Sequence, residues 1–199
     1  MKLLFISPEG SRDYEILGGR GIWLKNILPL IGRTHDVKLL TWGNSEDMGN
    51  YQIVGVDSDR LKPTPCEVIG EFKEDNFKFL QRCIDLFHNW KPDIIHLQDA
   101  DVAEMALFIA KSFKIPLLYT IHLSSIACFM SGISTSRYQQ YLCQWEQVAT
   151  KEADHIHVCS EYYASKFYKG EGNPLNYWYY TSVPVSIVPN GVNAEDFNE

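Results

Sequence analysis

Several features that would place a protein quickly are missing from this chain of 199 residues. Its five cysteines, Cys66, Cys83, Cys128, Cys143 and Cys159, are odd in number and scattered without a C-x-x-C pair, which argues against a disulfide framework and a structural zinc site. No apolar run reaches membrane-spanning length, and Met1-Lys2 leads straight into a short strand-like run rather than a signal peptide, so the expectation is a cytoplasmic protein without a membrane span. A formal net charge of −7 leaves no basic footprint for nucleic acid. Two nucleotide-binding signatures are absent as well. Counting from Gly19 and Gly21, the third glycine of G-x-G-x-x-G would fall on Leu24, and no G-x-x-x-x-G-K-[ST] string occurs. A nicotinamide dehydrogenase and a P-loop enzyme are therefore disfavoured.

What is present is a mixed-charge chain with 45% hydrophobic residues, long enough for one large domain with a substantial core. Its organising stretch runs from Lys2 to Gly32. The apolar run Leu3-Leu4-Phe5-Ile6 reads as a buried strand, a polar loop ends in Gly18-Gly19-Arg20-Gly21, and a helix begins at Ile22. Ile22, Trp23, Ile27, Leu30 and Ile31 recur near helical spacing and predict the face that packs on a sheet. Glycines before a helix let a bulky ligand approach, and free N–H groups with the helix dipole favour an anion such as phosphate; the same Gly-Gly also fits a plain turn.

Further along, Asp36–Trp42, Tyr51–Val56 and the short piece Val68-Ile69 read as strands, and the apolar set Phe77, Phe79, Leu80, Ile84, Leu86, Phe87 and Trp90 suits a helix from Asp75 to Trp90. Pro92 stops that helix, and Ile94-Ile95-His96-Leu97 is the unbroken apolar run of a central parallel strand. Asp101 suits the cap of the next helix, and 115–121 repeats the buried-strand pattern. Residues 124–132 read as irregular, Ser134 or Thr135 as the cap of a long helix to Glu152, 154–158 as a strand, Ser160 as the cap of a helix to Tyr168, and 185–188 as a last strand. The aromatic run Tyr177-Trp178-Tyr179 reads first as partial burial and second as a sugar-stacking platform.

Strands alternating with helices predict an α/β fold, a doubly wound and mainly parallel Rossmann-like sheet. Three polar sets then fall on one edge of it: the glycine loop, His96-Leu97-Gln98-Asp99, and His122 after Thr120-Ile121. Ligands of open α/β sheets bind at that edge. His96, inside its strand, reads as a buried hydrogen-bonded residue. His155 and His157 flank Ile156 without a third ligand nearby, so no metal is assigned.

Taken together, Ser7-Pro8 with Gly18-Gly19, Asp36-Val37, Pro92-Asp93-Ile94-Ile95-His96 with Asp99, Ile115-Pro116 leading to Thr120-Ile121-His122, Ala153-Asp154 through Val158-Cys159-Ser160-Glu161, and Val188-Pro189-Asn190-Gly191-Val192 resemble the N-terminal half of a retaining GT-B glycosyltransferase of the glycogen-synthase-like group. The resemblance covers essentially the whole chain. It implies a Rossmann-like N-terminal domain over residues 1–188, the start of an interdomain linker over 189–199, and a donor-binding C-terminal domain or partner subunit beyond this chain. It also implies a nucleoside-diphosphate sugar as donor, a hydroxyl acceptor, and no cofactor. Gly18 and Gly19 would approach the donor diphosphate, and His122 would hydrogen-bond the transferred sugar or leaving group. Asp99, Gln98 and Glu161 would contact the acceptor or support the site; Asp99 equally suits a helix cap, and Glu161 the opening of a helix. Two departures stand out. Gln98 replaces the second histidine of the family's H-x-H-D, and Ile16-Leu17 stand where glycogen synthases carry a lysine before Gly-Gly, leaving no cation for donor phosphate. The isolated chain is expected to turn over negligibly and to expose an apolar patch where a second half would dock. The alternative reading is a noncatalytic α/β ligand- or partner-binding module that keeps the fold only.

Overall fold

A computed structural model describes residues 1–9, 19–57, 69–168 and 176–190. Its centre is an eight-stranded sheet built from β1 (Lys2–Ile6), β2 (Asp36–Trp42), β3 (Glu46–Asp47), β4 (Gln52–Val56), β5 (Ile94–Gln98), β6 (Leu117–Ile121), β7 (His155–Val158) and β10 (Val185–Ile187), in the order β10-β7-β6-β5-β1-β2-β4-β3. Every pairing is parallel except the short β3–β4 hairpin at one edge. A second pairing joins β8 (Phe167–Tyr168) and β9 (Tyr179–Tyr180). The order reverses direction between β1 and β5, which is the switch point where a crevice opens at the strands' carboxyl ends.

The two faces of the sheet differ. One packs Leu4, Ile6, Ile95, Leu97, Leu117, Tyr119 and Ile156 against α2 (Ile69–Phe87), α3 (Ala103–Phe113) and α5 (Arg137–Glu152), giving the larger core with Phe79, Met105, Ile109 and Ala149. The other carries Phe5, Val37, Leu39 and Ile53 beneath Leu24 and Leu28 of α1 (Gly19–Ile31). Each such side chain, once buried, contributes about 1.5–3 kcal/mol. Gly55 is required by close approach, since a Cβ there would lie 2.1 Å from the Gly43 carbonyl oxygen.

Several expectations need correction. Helix α1 starts at Gly19, so Gly19 and Gly21 lie in its first turn, and Leu24 and Leu28 form its buried ridge while Ile22 and Leu30 are each 52% exposed. The expected face is right at Trp23, Ile27 and Ile31, which pack half-buried against the core, and wrong at Ile22 and Leu30. Ile69 opens α2 rather than forming a strand, Val68 lies outside the described residues, and Phe77 and Ile84 of that helix are exposed. Residues 124–132 are not irregular: Ser124 caps α4 (Ser125–Met130), its hydroxyl accepting from Ala127 N–H at 3.0 Å. Ser136, not Ser134 or Thr135, caps α5. Ser160 does cap α6 (Glu161–Ala164), but that helix ends early where β8 begins. Tyr179 is fully buried and stacked on Phe167, so burial is the correct reading for that ring. Among the described residues no helix is long and apolar enough to cross a membrane, and no group of three His, Cys, Asp or Glu side chains is placed to hold a metal ion.

Candidate functional site

The three polar sets converge as the parallel register demands. In β5 and β6, Gln98 pairs with Thr120, so the residues that follow, Asp99 and His122, emerge side by side. Asp99 adopts a left-handed backbone (φ 56°), which turns its carboxylate back across the strand end. Asp99 Oδ1 accepts from the backbone N–H of His122 at 2.7 Å and of Leu123 at 3.3 Å. It therefore holds the His122 loop. The cap position of the following helix, α3, falls on Val102, whose side chain accepts nothing; Asn76 Oδ1 of α2 instead accepts from Met105 N–H in its first turn at 3.2 Å, and Asp101 is engaged elsewhere.

His122 is fixed on its other side by Gln98, whose Oε1 lies 2.7 Å from His122 Nε2. Oε1 accepts, so Nε2 carries the hydrogen and Nδ1 is left as an acceptor. The Trp23 indole of α1 meets the imidazole edge-on at 4.9 Å between centroids. Beneath them, Thr120 Oγ1 sits 2.6 Å from His96 Nε2 and 3.1 Å from His157 Nδ1, and His157 Nε2 reaches the Val188 carbonyl at 3.1 Å. Burial, with Arg20 and His157 nearby, pushes the His122 pKa down to about 4. Burial and the two neighbouring imidazoles take His96 down to about 3. Burial lowers His157 as well. All three rings are thus neutral at pH 7, and His122 is a hydrogen-bonding group rather than a cation.

Beside this pair lies a buried charge cluster around Arg20, whose side chain is 10% exposed. Its Nη1 donates to Asp101 Oδ2 at 2.6 Å, Asp99 Oδ2 at 3.2 Å and the Gln98 carbonyl at 3.3 Å, while Nη2 donates to Glu9 Oε1 at 3.0 Å. Glu9 Oε2 accepts from Gly21 N–H at 3.1 Å, at the start of α1. Tyr138 of α5 donates to Asp101 at 3.0 Å. Burial opposes the guanidinium charge, but Asp101, Asp99 and Glu9 outweigh it and hold the group above its ordinary value. Burial lifts the Asp99 carboxyl to about 7, against the pull of Arg20 and the two amides.

Gly18 lies outside the described residues. Gly19 is exposed, and a Cβ there would meet nothing within 4 Å, so the fold itself makes no demand for glycine at that position. Glu161 opens α6 just beyond β7, exposed, while Ser160 accepts from Tyr163 N–H. Sequence reasoning missed Glu9, Arg20, Asp101 as a charge partner, Thr120 and His157. Arg20 had a visible signal: a lone arginine inside a glycine string at a helix start is placed to meet whatever follows β1 and β5.

The fold is that of the N-terminal domain of GT-B glycosyltransferases. The chain belongs to glycosyltransferase family 4, which residues 29–196 match. That match begins after the glycine string, so Arg20 and Trp23 stand outside it. No curated protein matches in sequence. Among solved structures, sucrose-phosphate synthase from Thermosynechococcus elongatus superposes with a TM-score of 0.75 at 16% identity, over 98% of this chain and 49% of that one. HepE from Anabaena, in complex with UDP and glucose, gives a TM-score of 0.55 at 14% identity, over 98% and 46%. The chain thus spans about half the length of either.

Proposed function

We propose that this domain is the acceptor-side half of a cytoplasmic retaining glycosyltransferase that moves a sugar, of hexosyl type, from a nucleoside diphosphate to an acceptor hydroxyl. The anomeric C–O bond to the diphosphate breaks, a bond to the acceptor oxygen forms on the same face, and the hydroxyl proton leaves with the diphosphate. A donor-binding half, in a longer chain or a partner subunit, would face this rim. No cofactor beyond the nucleotide sugar enters the reaction. The observation that carries the reading is the neutral His122, clamped by Gln98 Oε1 and by Asp99 through its backbone, beside the N-terminus of α1.

A clamped imidazole with a free Nδ1 suits a hydrogen bond to a sugar hydroxyl that strengthens as charge develops. The open space at Gly19 would admit the diphosphate, and Gly18 would contribute its backbone N–H. Glu161, on the same rim, would meet the acceptor. Leu123, Met130 and Ile133, exposed after β6, would be covered by the second half. HepE, whose structure holds UDP and glucose, supports the choice of donor class.

The test is a transfer assay on the two-domain enzyme with a panel of nucleotide sugars. His122→Ala should lower kcat by about 100-fold or more, the scale of losing one preorganised hydrogen bond at a developing charge. Unchanged turnover would remove His122 from the mechanism. The 199-residue chain alone should give no measurable transfer; robust turnover by it would overturn the two-half reading.

A further inference from the structure

Glu9 occupies a place at this rim where a bound anion would be expected, the N-terminus of α1 beside Arg20. The turn that puts it there is built: Ser7 is fully buried, its hydroxyl accepts from Glu9 N–H at 3.1 Å, and the carboxylate is carried across the first turn of the 13-residue helix α1. Its two oxygens are split, one to Arg20 Nη2 and one to Gly21 N–H. A guanidinium presents Nε–H and one Nη2–H as a parallel fork. Here that fork is half filled, because Arg20 Nε is buried and has no hydrogen-bond partner. Three donors, Nε, Nη2 and Gly21 N–H, are served by a carboxylate with two oxygens. A terminal phosphoryl group carries three.

We propose that Glu9 is a displaceable internal anion, and that Arg20 with Gly21 N–H forms a phosphate subsite which a diphosphate takes over when Glu9 swings out. This deepens the glycosyltransferase reading and rests on it for the identity of the natural ligand. It supplies the cation that the residues before Gly18-Gly19 lack. It also assigns the arginine a division of labour: Nη1 stays with Asp99 and Asp101, holding the His122 loop, while the Nε/Nη2 edge changes partner. Glu9 is the member able to leave, since its side chain is 28% exposed against 12% for Asp99 and 22% for Asp101. Removing one of three carboxylates from a single guanidinium also lessens the negative charge an incoming phosphate must meet.

The experiment is a calorimetric titration of the 199-residue chain with inorganic pyrophosphate and, separately, UDP. Glu9→Gln, which keeps size and removes the competing charge, should bind both at least tenfold more tightly than the unsubstituted protein. Glu9→Gln with Arg20→Lys should lose that gain, because an ammonium has no fork; thermal melts confirm that each variant is folded before it is titrated. Equal affinity in the unsubstituted and Glu9→Gln proteins overturns the proposal, as does undiminished tightening in the Arg20→Lys double variant. Pyrophosphate carries neither nucleoside nor sugar, which separates the two readings. Tightening by Glu9→Gln without any sugar transfer in the two-domain enzyme upholds the displaceable anion while removing the reaction; transfer with equal pyrophosphate affinities removes the displaceable anion alone.

Discussion

Two carboxylate clusters are buried at the same end of the sheet, and they are built in opposite ways. Glu146, 1% exposed, is held entirely by neutral donors: Tyr179 OH at 2.6 Å, Ser124 Oγ at 2.8 Å, Ser125 N–H at 2.6 Å and Ile126 N–H at 3.4 Å. It closes the N-terminus of α4 from below and ties α5 and β9 to it. Burial raises its pKa, with those donors pulling the other way. The Arg20 cluster instead gathers three carboxylates on one cation, keeps a donor unfilled at Arg20 Nε and another at Gln98 Nε2, and shares a carboxylate with the His122 loop. Buried polar groups are normally satisfied, so the saturated cluster reads as a device for stability, and the unsaturated one is the cluster to which the proposed phosphate subsite belongs. Both clusters begin from the same circumstance, a helix N-terminus at the carboxyl edge of a parallel sheet. They part at one choice, whether the protein's own side chains use up every donor.

The sharpest way to break this contrast is to remove the acids and bases at its centres and follow urea denaturation. Glu146→Ala strips the acceptor from the Ser124 hydroxyl and from the Ser125 and Ile126 amides inside the core, leaving Tyr179 OH only Ser124 Oγ, and should cost about 4 kcal/mol. Glu146→Gln keeps one acceptor and no charge, and should cost less than half as much. A Gln variant as damaged as the Ala variant would mean that Glu146 works through its charge, and the contrast would collapse. Arg20→Ala is next, at about 3 kcal/mol, because Asp99 and Asp101 lose their common cation while remaining largely buried. A loss below about 1 kcal/mol would show that the cluster is as weak as a surface ion pair.

What the sequence revealed, and what it concealed, divides along the same line. The strands with unbroken apolar runs were readable, since burial on both faces leaves no other composition, and β2 and β6 fell at Asp36–Trp42 and Leu117–Ile121. Their parallel order then brought Asp99 and His122 together, as the shared edge required. The inner face of α1 was legible only in part: Trp23, Ile27 and Ile31 do pack half-buried on the core, but Leu24 and Leu28, its buried ridge, were outweighed by Ile22 and Leu30, which are exposed. Asp101 was misread for a different reason. A capping residue is a local pattern, whereas its true partner, Arg20, stands 81 positions away. Ion pairs of that range leave no trace in spacing.

Acid tests the polar floor beneath His122. His96 ionises near pH 3 in the folded protein against an ordinary 6.5, so an unfolded chain takes up its proton first. The stability this contributes is complete above pH 6.5 and drains away as pH falls toward 3. Asp99 works in the reverse sense: with its folded value near 7, acidification toward its ordinary 3.8 favours the folded state, so the whole protein's pH profile is a compromise. A variant isolates the histidine. The stability gap between the unsubstituted protein and His96→Gln should shrink by about 1.4 kcal/mol for each pH unit below 6.5. A gap that stays constant from pH 7 to pH 4.5 would show that His96 is free to charge in place, and that the floor of the site is wetter than its packing against Phe5 and Thr120 indicates.

The smallest effect is the most discriminating. Gln98 is fully buried, spends its carbonyl on His122, and keeps its amide N–H unfilled. Gln98→Leu discards one hydrogen bond worth about 1 kcal/mol, and with it an unsatisfied donor whose burial costs a similar amount, so the stability change should stay within about 1 kcal/mol of zero. The imidazole should respond much more than the fold does. Without Oε1, nothing holds the hydrogen on His122 Nε2, and the ring nitrogen shifts in an NMR titration should move from those of a single tautomer toward an average of two. A variant that loses several kcal/mol would place Gln98 with Glu146, among the groups that hold the sheet edge together. A variant that keeps both stability and tautomer would mean that Asp99, through the backbone of the loop, orients His122 on its own.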